Sequence, residues 1–261
     1  MRAITRRSFL LSAGAGLAAP FLAGRAEAMP FVEASFPRRG DITTGMQATV
    51  TRIAMDQPLV ALTFDDGPHP TLTPQLLDFL AVNNIRATFY LIGSRVAHHP
   101  QLAARIAAEG HEIGNHTWSH PSLFGHSDAS VLSQIDRANE AVLQATGRLP
   151  VTMRPPYGNF HPGQRLMLHR MRGMPTVLWS VDPEDWRRPG SSVVASRIVS
   201  QSHPGAVVLA HDIHGPTIRA MPATVSGLYT RGFRFVTVSE LIGWPRWDQR
   251  RLRASAGGQR S

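Results

Sequence analysis

The chain has no cysteine and no lysine, so all 27 of its basic residues are arginine. Without cysteine, no disulfide can stabilise the fold, and no thiolate can act as a nucleophile or a metal ligand. Any metal site must therefore be built from His, Asp and Glu side chains. Internal repeats are also missing from the sequence. Its 261 residues, with ordinary apolar content, suffice for one sizeable core, which predicts a single folded domain.

Acidic residues are few compared with arginine, which leaves a formal net charge of +9 and a pI near 11.4. The exclusive use of arginine as the strongly basic residue indicates a compositional bias as much as selection for a surface that binds nucleic acid. Several arginines lie near the N-terminus, and others lie in residues 244–261, which we interpret as a basic disordered tail: Arg246, Arg250, Arg251, Arg253 and Arg260. No nucleic-acid partner is therefore expected.

The first 28 residues are typical of a signal peptide of the twin-arginine type. Arg6 and Arg7 precede an apolar stretch that runs to about Ala23, and a small-x-small cleavage site follows at Ala26–Ala28. The predicted partner is the twin-arginine translocase, and the predicted location is periplasmic or extracellular. The alternatives are a basic apolar helix or an uncleaved anchor. Because the apolar stretch is short for a membrane span, no stable span is expected after cleavage.

Residues 29–57 lack sustained periodicity and are assigned to an N-terminal extension. From residue 58 to 243, short apolar runs alternate with helical patterns, which predicts crossover units around a parallel sheet. The runs indicate strands near Leu59–Phe64, Ala87–Ile92, Glu112–Gly114, Val151–Met153, Thr176–Val181, Ala206–Ala210 and Phe233–Val238. About seven strands favour a distorted or incomplete (β/α) barrel over an open doubly wound sheet, although periodicity alone does not separate the two. Thr73 is expected to cap the first helix, with Pro74 at its first position.

Polar clusters follow five of the predicted strands, where the active sites of such barrels gather. One of them, His116–His120, carries two imidazoles four residues apart, so that in a helical turn both would face one metal ion. That spacing is a weak signal taken alone. An aspartate pair, Asp65 and Asp66, ends a neighbouring strand, and without a cation its burial would be costly. One aspartate and two histidines would leave open positions for water and substrate, as catalytic zinc requires.

Five ordered motifs resemble those of the polysaccharide deacetylase family, also called the NodB-homology domain or carbohydrate esterase family 4: Thr63–Pro68, His116–His120, Arg154–Gly158, Asp182–Trp186 and Leu209–His211. The resemblance spans roughly residues 58–243. It implies that Asp66, His116 and His120 hold a divalent metal, Zn²⁺ in the first instance with Co²⁺, Ni²⁺ or Mn²⁺ as alternatives. It also implies that Asp65 is the general base and His211 the general acid.

The resemblance further pairs Asp185 with the acid histidine, and it suggests that Arg154 orients an acidic partner. It assigns the backbone N–H of Tyr157 to the oxyanion of the tetrahedral intermediate. The side chains of Tyr157 and Trp186 are expected to wall a pocket for the acetyl methyl or the sugar face, and Leu209 is assigned to the substrate site. Ordinary packing would equally explain the aromatic residues.

The implied reaction is removal of N-acetyl groups from N-acetylglucosamine units of a polysaccharide, with release of acetate. Peptidoglycan, a chitin-like oligomer and an exopolysaccharide are all open as substrates. The alternatives are an esterase for O-acetyl groups of a xylan-type glycan and a catalytically weak carbohydrate-binding protein. A new free amine in the product would favour the amidase reaction, whereas an inactive binding protein should lack a ligand or the acid, and none is missing.

Overall fold

A computed structural model describes residues 48–244 of the chain. Its strands are β1 Thr49–Val50, β2 Leu59–Asp65, β3 Thr88–Leu91, β4 Glu112–Asn115, β5 Thr176–Val177, β6 Ala206–His211 and β7 Arg234–Phe235. Its helices are α1 Leu72–Val82, α2 Gly93–His98, α3 Pro100–Ala108, α4 Asp128–Thr146, α5 Pro162–Arg172, α6 Ser191–Gln201, α7 Gly215–Thr230 and α8 Val238–Leu241. Short 3-10 turns lie at Pro156–Gly158 and Asp185–Arg187.

The strands form a parallel barrel with irregular closure. Strands β4, β3, β2 and β6 are neighbours in that order, β7 also pairs with β2, and β1 pairs with β5. Single-residue bridges join these pieces: Asn115 to Met153, Met153 to Thr176, and Val181 to Val208. The predicted distorted (β/α) barrel is therefore confirmed. The expected strand at Val151–Met153 is reduced to one bridging residue, and β1 is a strand that the sequence pattern did not indicate.

Central strand β2 is buried along its whole length, because helices cover the sheet outside and polar side chains fill part of the inside. Alternate β2 residues Val60, Leu62 and Phe64 join the main core cluster, whereas Thr63 and Asp65 do not. The apolar run thus predicts burial, and its alternation places Thr63 and Asp65 on the other face.

Helix boundaries follow the expected capping chemistry in one case and depart from it in another. Helix α4 begins after Ser127, whose side chain accepts from the backbone of Ser130, and it ends at Gly147 in a left-handed conformation. The prediction that Thr73 caps α1 is wrong. The helix begins at Leu72 after Thr71, and the Thr73 hydroxyl instead donates to Asp212.

The predicted signal peptide at residues 1–28, most of the 29–57 extension and nearly all of the 244–261 tail lie outside the described residues. Within residues 48–244, every helix is too short or too polar to cross a bilayer. β1 belongs to the assigned extension and is paired with β5.

Candidate active site

Three ligand-type side chains converge where β2 and β4 end. Asp66 follows β2 directly, and His116 follows β4. Nε2 of His116 lies 3.4 Å from Oδ1 of Asp66, and Nε2 of His120 lies 3.2 Å from the same oxygen. One ligand atom from each residue lies within 4.8 Å of the other two. The predicted trio is therefore brought together.

The two histidines do not converge through a helical turn, so that part of the prediction is wrong. The segment after β4 is irregular, and Thr117 and His120 both have positive φ, 66° and 61°. Thr117 is fixed by Asn115, whose side-chain oxygen accepts from the Thr117 backbone N–H at 2.8 Å. The chain bend at Thr117 and His120, rather than helical periodicity, turns the imidazoles toward Asp66.

A hydrogen bond to the backbone of Arg154 orients His116, the more buried of the two histidines. Nδ1 of His116 lies 2.7 Å from the backbone carbonyl oxygen of Arg154, and because a carbonyl only accepts, Nδ1 must carry the proton. Nε2 then keeps its lone pair to coordinate a metal ion, an arrangement typical of metal-binding histidines. Arg154 thus contributes to the site through its backbone as well as its side chain.

The donor set fits a divalent cation. Oδ1 of Asp66 is buried and, among residues 48–244, has no hydrogen-bond partner of good geometry. Burial would raise the pKa of the Asp66 carboxyl, but the two imidazoles beside it outweigh burial and hold the pKa below its ordinary value. An ionised carboxylate oxygen and two imidazole nitrogens facing one point are ligands suited to zinc.

Asp65 occupies a separate environment from its neighbour Asp66. Its Oδ1 accepts from Nη1 of Arg154 at 2.7 Å, and Oδ2 lies 3.8 Å from Nε2 of His116. Arg154 is fully buried, and the same Nη1 donates to the hydroxyl of Thr63 at 2.6 Å. The Arg154 guanidinium therefore holds one carboxylate oxygen and leaves the other directed to the site.

The Arg154 side chain is itself held in place on the remaining sides. Nε donates to the carbonyl of Val177 at 3.2 Å, Nη2 donates to the carbonyl of Leu178 at 3.1 Å, and the guanidinium carbon lies 4.3 Å from the centre of the Tyr90 ring. A buried charge with this number of partners has little freedom to move, which rigidifies Asp65.

His211 lies next to Asp65 across the β2–β6 ladder, because the two residues are register partners. Its Nδ1 is 2.8 Å from Oδ1 of Asp185, and Oδ2 of Asp185 accepts from the His211 backbone at 2.8 Å and from the Thr217 hydroxyl at 2.7 Å. Burial would lower the pKa of His211, but Asp185, together with the more distant charges of Asp65 and Asp66, raises it to about 9. At neutral pH the imidazole is therefore protonated.

The remaining predicted residues line the rim or the strand interior. Tyr157 is exposed, and its ring centre lies 4.8 Å from that of His120. Trp186 is half exposed, with the Arg187 guanidinium 4.6 Å from its ring centre. Leu209 is buried in β6 and lies outside the main core cluster that contains its neighbours Val208 and Ala210.

Backbone strain concentrates at this edge of the barrel. Six of the eight non-glycine residues with positive φ in residues 48–244 belong to its loops: Asp66, Thr117, His120, Tyr157, Glu184 and Arg188. Such conformations cost about 1–3 kcal/mol each and persist only where the surroundings enforce them, as at functional sites.

Sequence reasoning did not single out several residues that support the site. Thr63 bonds Arg154, Thr217 bonds Asp185, and the His214 ring centre lies 5.7 Å from that of His211. Burial, the leading cause, lowers the pKa of His214. Only the proximity of His214 to the last motif offered a sequence signal, since isolated threonines in strands and helices carry none.

Comparison with known proteins yields related enzymes. The family model described as polysaccharide deacetylase matches residues 52–172. The peptidoglycan-N-acetylglucosamine deacetylase PgdA of Listeria monocytogenes is 41% identical over 184 residues, which are 70% of this chain and 39% of the relative. A chitooligosaccharide deacetylase of Bradyrhizobium is 39% identical over 70% of this chain and 90% of its own length. The crystal structure of the Bc1960 peptidoglycan N-acetylglucosamine deacetylase has a TM-score of 0.73 at 34% identity, covering 77% of this chain and 95% of that one. This chain therefore spans less than half of the Listeria relative and nearly all of the other two.

Proposed function

The chain belongs to the polysaccharide deacetylase family, and from this we propose that it hydrolyses N-acetyl groups on N-acetylglucosamine units of a polysaccharide, releasing acetate. The observation that supports the proposal most strongly is the joint placement of two groups at one strand edge. Asp66, His116 and His120 form the candidate metal site, and Asp65 and His211 lie beside each other on adjacent strands.

Asp66, His116 and His120 would hold a divalent cation, with Zn²⁺ proposed because two imidazoles and a carboxylate suit it. When bound there, the cation supplies Lewis acidity that polarises the acetyl carbonyl and acidifies the attacking water. Asp65 is proposed as the general base. Its Oδ2 is directed to the site while Arg154 holds Oδ1, so the carboxylate is positioned to take a proton from that water.

His211 is proposed as the general acid. Amide cleavage expels a poorly leaving amine, so the nitrogen must be protonated as the carbon–nitrogen bond breaks. Asp185 holds Nδ1 of His211 at 2.8 Å, which leaves Nε2–H as the donor toward the leaving nitrogen. The backbone N–H of Tyr157 would donate to the developing oxyanion, and the side chains of Tyr157, Trp186 and Leu209 would wall the pocket for acetyl group and sugar.

The function is tested by incubating the zinc-loaded protein with N-acetylated and O-acetylated glycans: peptidoglycan, chitin oligomers, exopolysaccharide and acetylated xylan. Acetate appearing together with new free amines on an N-acetylated glycan is the expected result. Acetate from the O-acetylated xylan alone would replace the amidase by an esterase, since both acyl transfers use the same groups. Glycan binding without acetate release would contradict both hydrolases.

The alkaline limit of activity should depend on Asp185. The pKa of His211 is raised to about 9, so the acid is protonated below that pH and loses its proton above it. Asp185, Asp65 and Asp66 raise the pKa of His211, and His214 and Asp212 also interact with its imidazole. Asp185→Asn removes the nearest negative charge and should shift the alkaline limb of the kcat–pH profile down by about one unit or more.

The control is the kcat–pH profile of Glu184→Gln, recorded together with that of Asp185→Asn. Glu184 is the neighbouring acid, and its Oε2 pairs with Nη1 of Arg197 at 3.0 Å instead of with His211. The Glu184 variant should keep the wild-type limb. An unshifted limb in Asp185→Asn would contradict the assignment of His211 as the acid paired with Asp185.

Export through the twin-arginine pathway is proposed from residues 1–28. Substrates of the family lie outside the cytoplasm when they are cell-wall glycans, as the name of the Listeria relative implies for that protein. Arg6→Lys with Arg7→Lys should leave the precursor in the cytoplasm. The matched control is the second arginine pair, Arg38→Lys with Arg39→Lys, which should not alter export. Processed protein outside the cytoplasm at wild-type levels in the first variant, measured by immunoblotting of cell fractions, would exclude this route.

A further inference from the structure

Asp212 is a fully buried carboxyl that the proposed chemistry does not use. It directly follows His211, and its Oδ2 accepts a hydrogen bond from the Thr73 hydroxyl. Oδ1 is buried and has no hydrogen-bond partner within the described part of the chain. Burying a carboxyl with one oxygen unpaired costs free energy of folding, so the contact is expected to serve a structural or functional role.

Thr73 connects this carboxyl to the loop after β2. The Thr73 hydroxyl accepts from the backbone N–H of His69 at 2.7 Å while it donates to Asp212. Thr73 and Asp212 are 139 residues apart in sequence. The pair therefore joins the first turn of α1, and the loop that follows Asp65 and contains Asp66, to the end of the strand that carries His211.

Because Gly67 has no side chain, the Asp212 carboxyl can lie against the turn that follows Asp66. A Cβ at Gly67 would lie 2.6 Å from Oδ1 and 2.8 Å from Cγ of Asp212, closer than side-chain atoms can approach. The Asp212 carboxyl thus packs on the backbone directly after Asp66, which is held at a positive φ of 73°. A non-glycine residue in that conformation needs support from its surroundings.

We propose that Asp212, acting through Thr73 and Gly67, is a positioning residue that holds the turn of Asp65 and Asp66 at a set distance from His211. The inference rests on the proposed function, because base, ligand and acid are the groups it positions. The hydrogen bond ties the loop to the end of β6, and the Asp212 carboxyl packs against the backbone of the strained turn at Gly67. Catalysis is sensitive to such placement, since a shift of about 1 Å can lower the rate about 100-fold.

The test compares full-length Asp212→Ala, Asp212→Asn, Thr73→Val and the Thr73→Val/Asp212→Ala double variant. Asp212→Ala and Thr73→Val should each lower kcat and Zn²⁺ affinity about 10-fold or more, as observed for groups that orient ligands, with KM changed less than about threefold. Asp212→Asn keeps an oxygen that accepts from Thr73, so its kcat should stay within about threefold of wild type. The double variant should be no worse than the poorer single variant, because both substitutions break the same bond.

Thr224→Val is the matched control, since Thr224 is also buried and its hydroxyl donates to the carbonyl of Ala220 within α7. It should lower the melting temperature without changing kcat or Zn²⁺ affinity. Zn²⁺ affinity, measured by competition with a chromophoric chelator, needs no substrate, so it tests the positioning role even if wild type releases no acetate and the proposed function fails. Wild-type Zn²⁺ affinity in Asp212→Ala, additive losses in the double variant, or an Asp212→Asn variant as impaired as Asp212→Ala would each overturn the proposal.

Discussion

Replacing Asp65 with asparagine should lower turnover about 100-fold or more while the metal stays bound. The amide oxygen of asparagine can still accept from Nη1 of Arg154, so the side chain should keep its place beside Thr63 and His116. The amide cannot take a proton from water, so the proposed base function would be lost. The measurement is kcat on an N-acetylated glycan together with zinc content by elemental analysis.

The comparison variant for Asp65→Asn is Asp136→Asn, which alters a partly exposed carboxylate paired with Arg172 and should leave turnover unchanged. Loss of zinc from Asp65→Asn with retention in Asp66→Asn would reverse the assignment of base and ligand. Turnover near the wild-type level in Asp65→Asn would remove Asp65 as the base.

Removing any one of the three proposed metal ligands should lower turnover more than removing the proposed base. Asp66→Ala, His116→Ala and His120→Ala each delete one of the three convergent donors, so zinc occupancy should fall and turnover should drop to the level of the chelator-treated enzyme. A cation supplies several kcal/mol of transition-state stabilisation, which corresponds to a loss of about 1,000-fold or more in rate.

The three ligand variants should differ in severity. His116 is buried and oriented by the Arg154 carbonyl, whereas the His120 side chain is about one-fifth exposed. His116→Ala should therefore lose zinc affinity more completely than His120→Ala. His98→Ala, which changes an exposed histidine of α2, is the control and should keep zinc and activity. Full zinc occupancy in all three ligand variants, or activity that survives complete chelation, would contradict the metal site.

Local sequence patterns predicted the groups of this site but not the way they meet. Asp65 and Asp66 end an apolar strand, and His211 ends another, so their place at one barrel edge follows from strand alternation. The His116–His120 spacing suggested a helical turn, whereas the structure uses left-handed residues in an irregular loop. Spacing reports which residues are near in sequence, but the backbone path between them depends on what the loop packs against.

Sequence alone determined that strands and helices alternate, that β2 is buried, and that the acidic and histidine clusters occur at strand ends, because apolar runs and capping residues act over a few neighbouring positions. Tertiary structure alone decided how the barrel closes and what supports the site. Closure depends on single bridges at Met153 and Val181, and the contact of Thr73 with Asp212 joins residues 139 positions apart. Such contacts form only when the whole sheet has folded, since burial and packing, rather than local propensity, select the partner of each polar group.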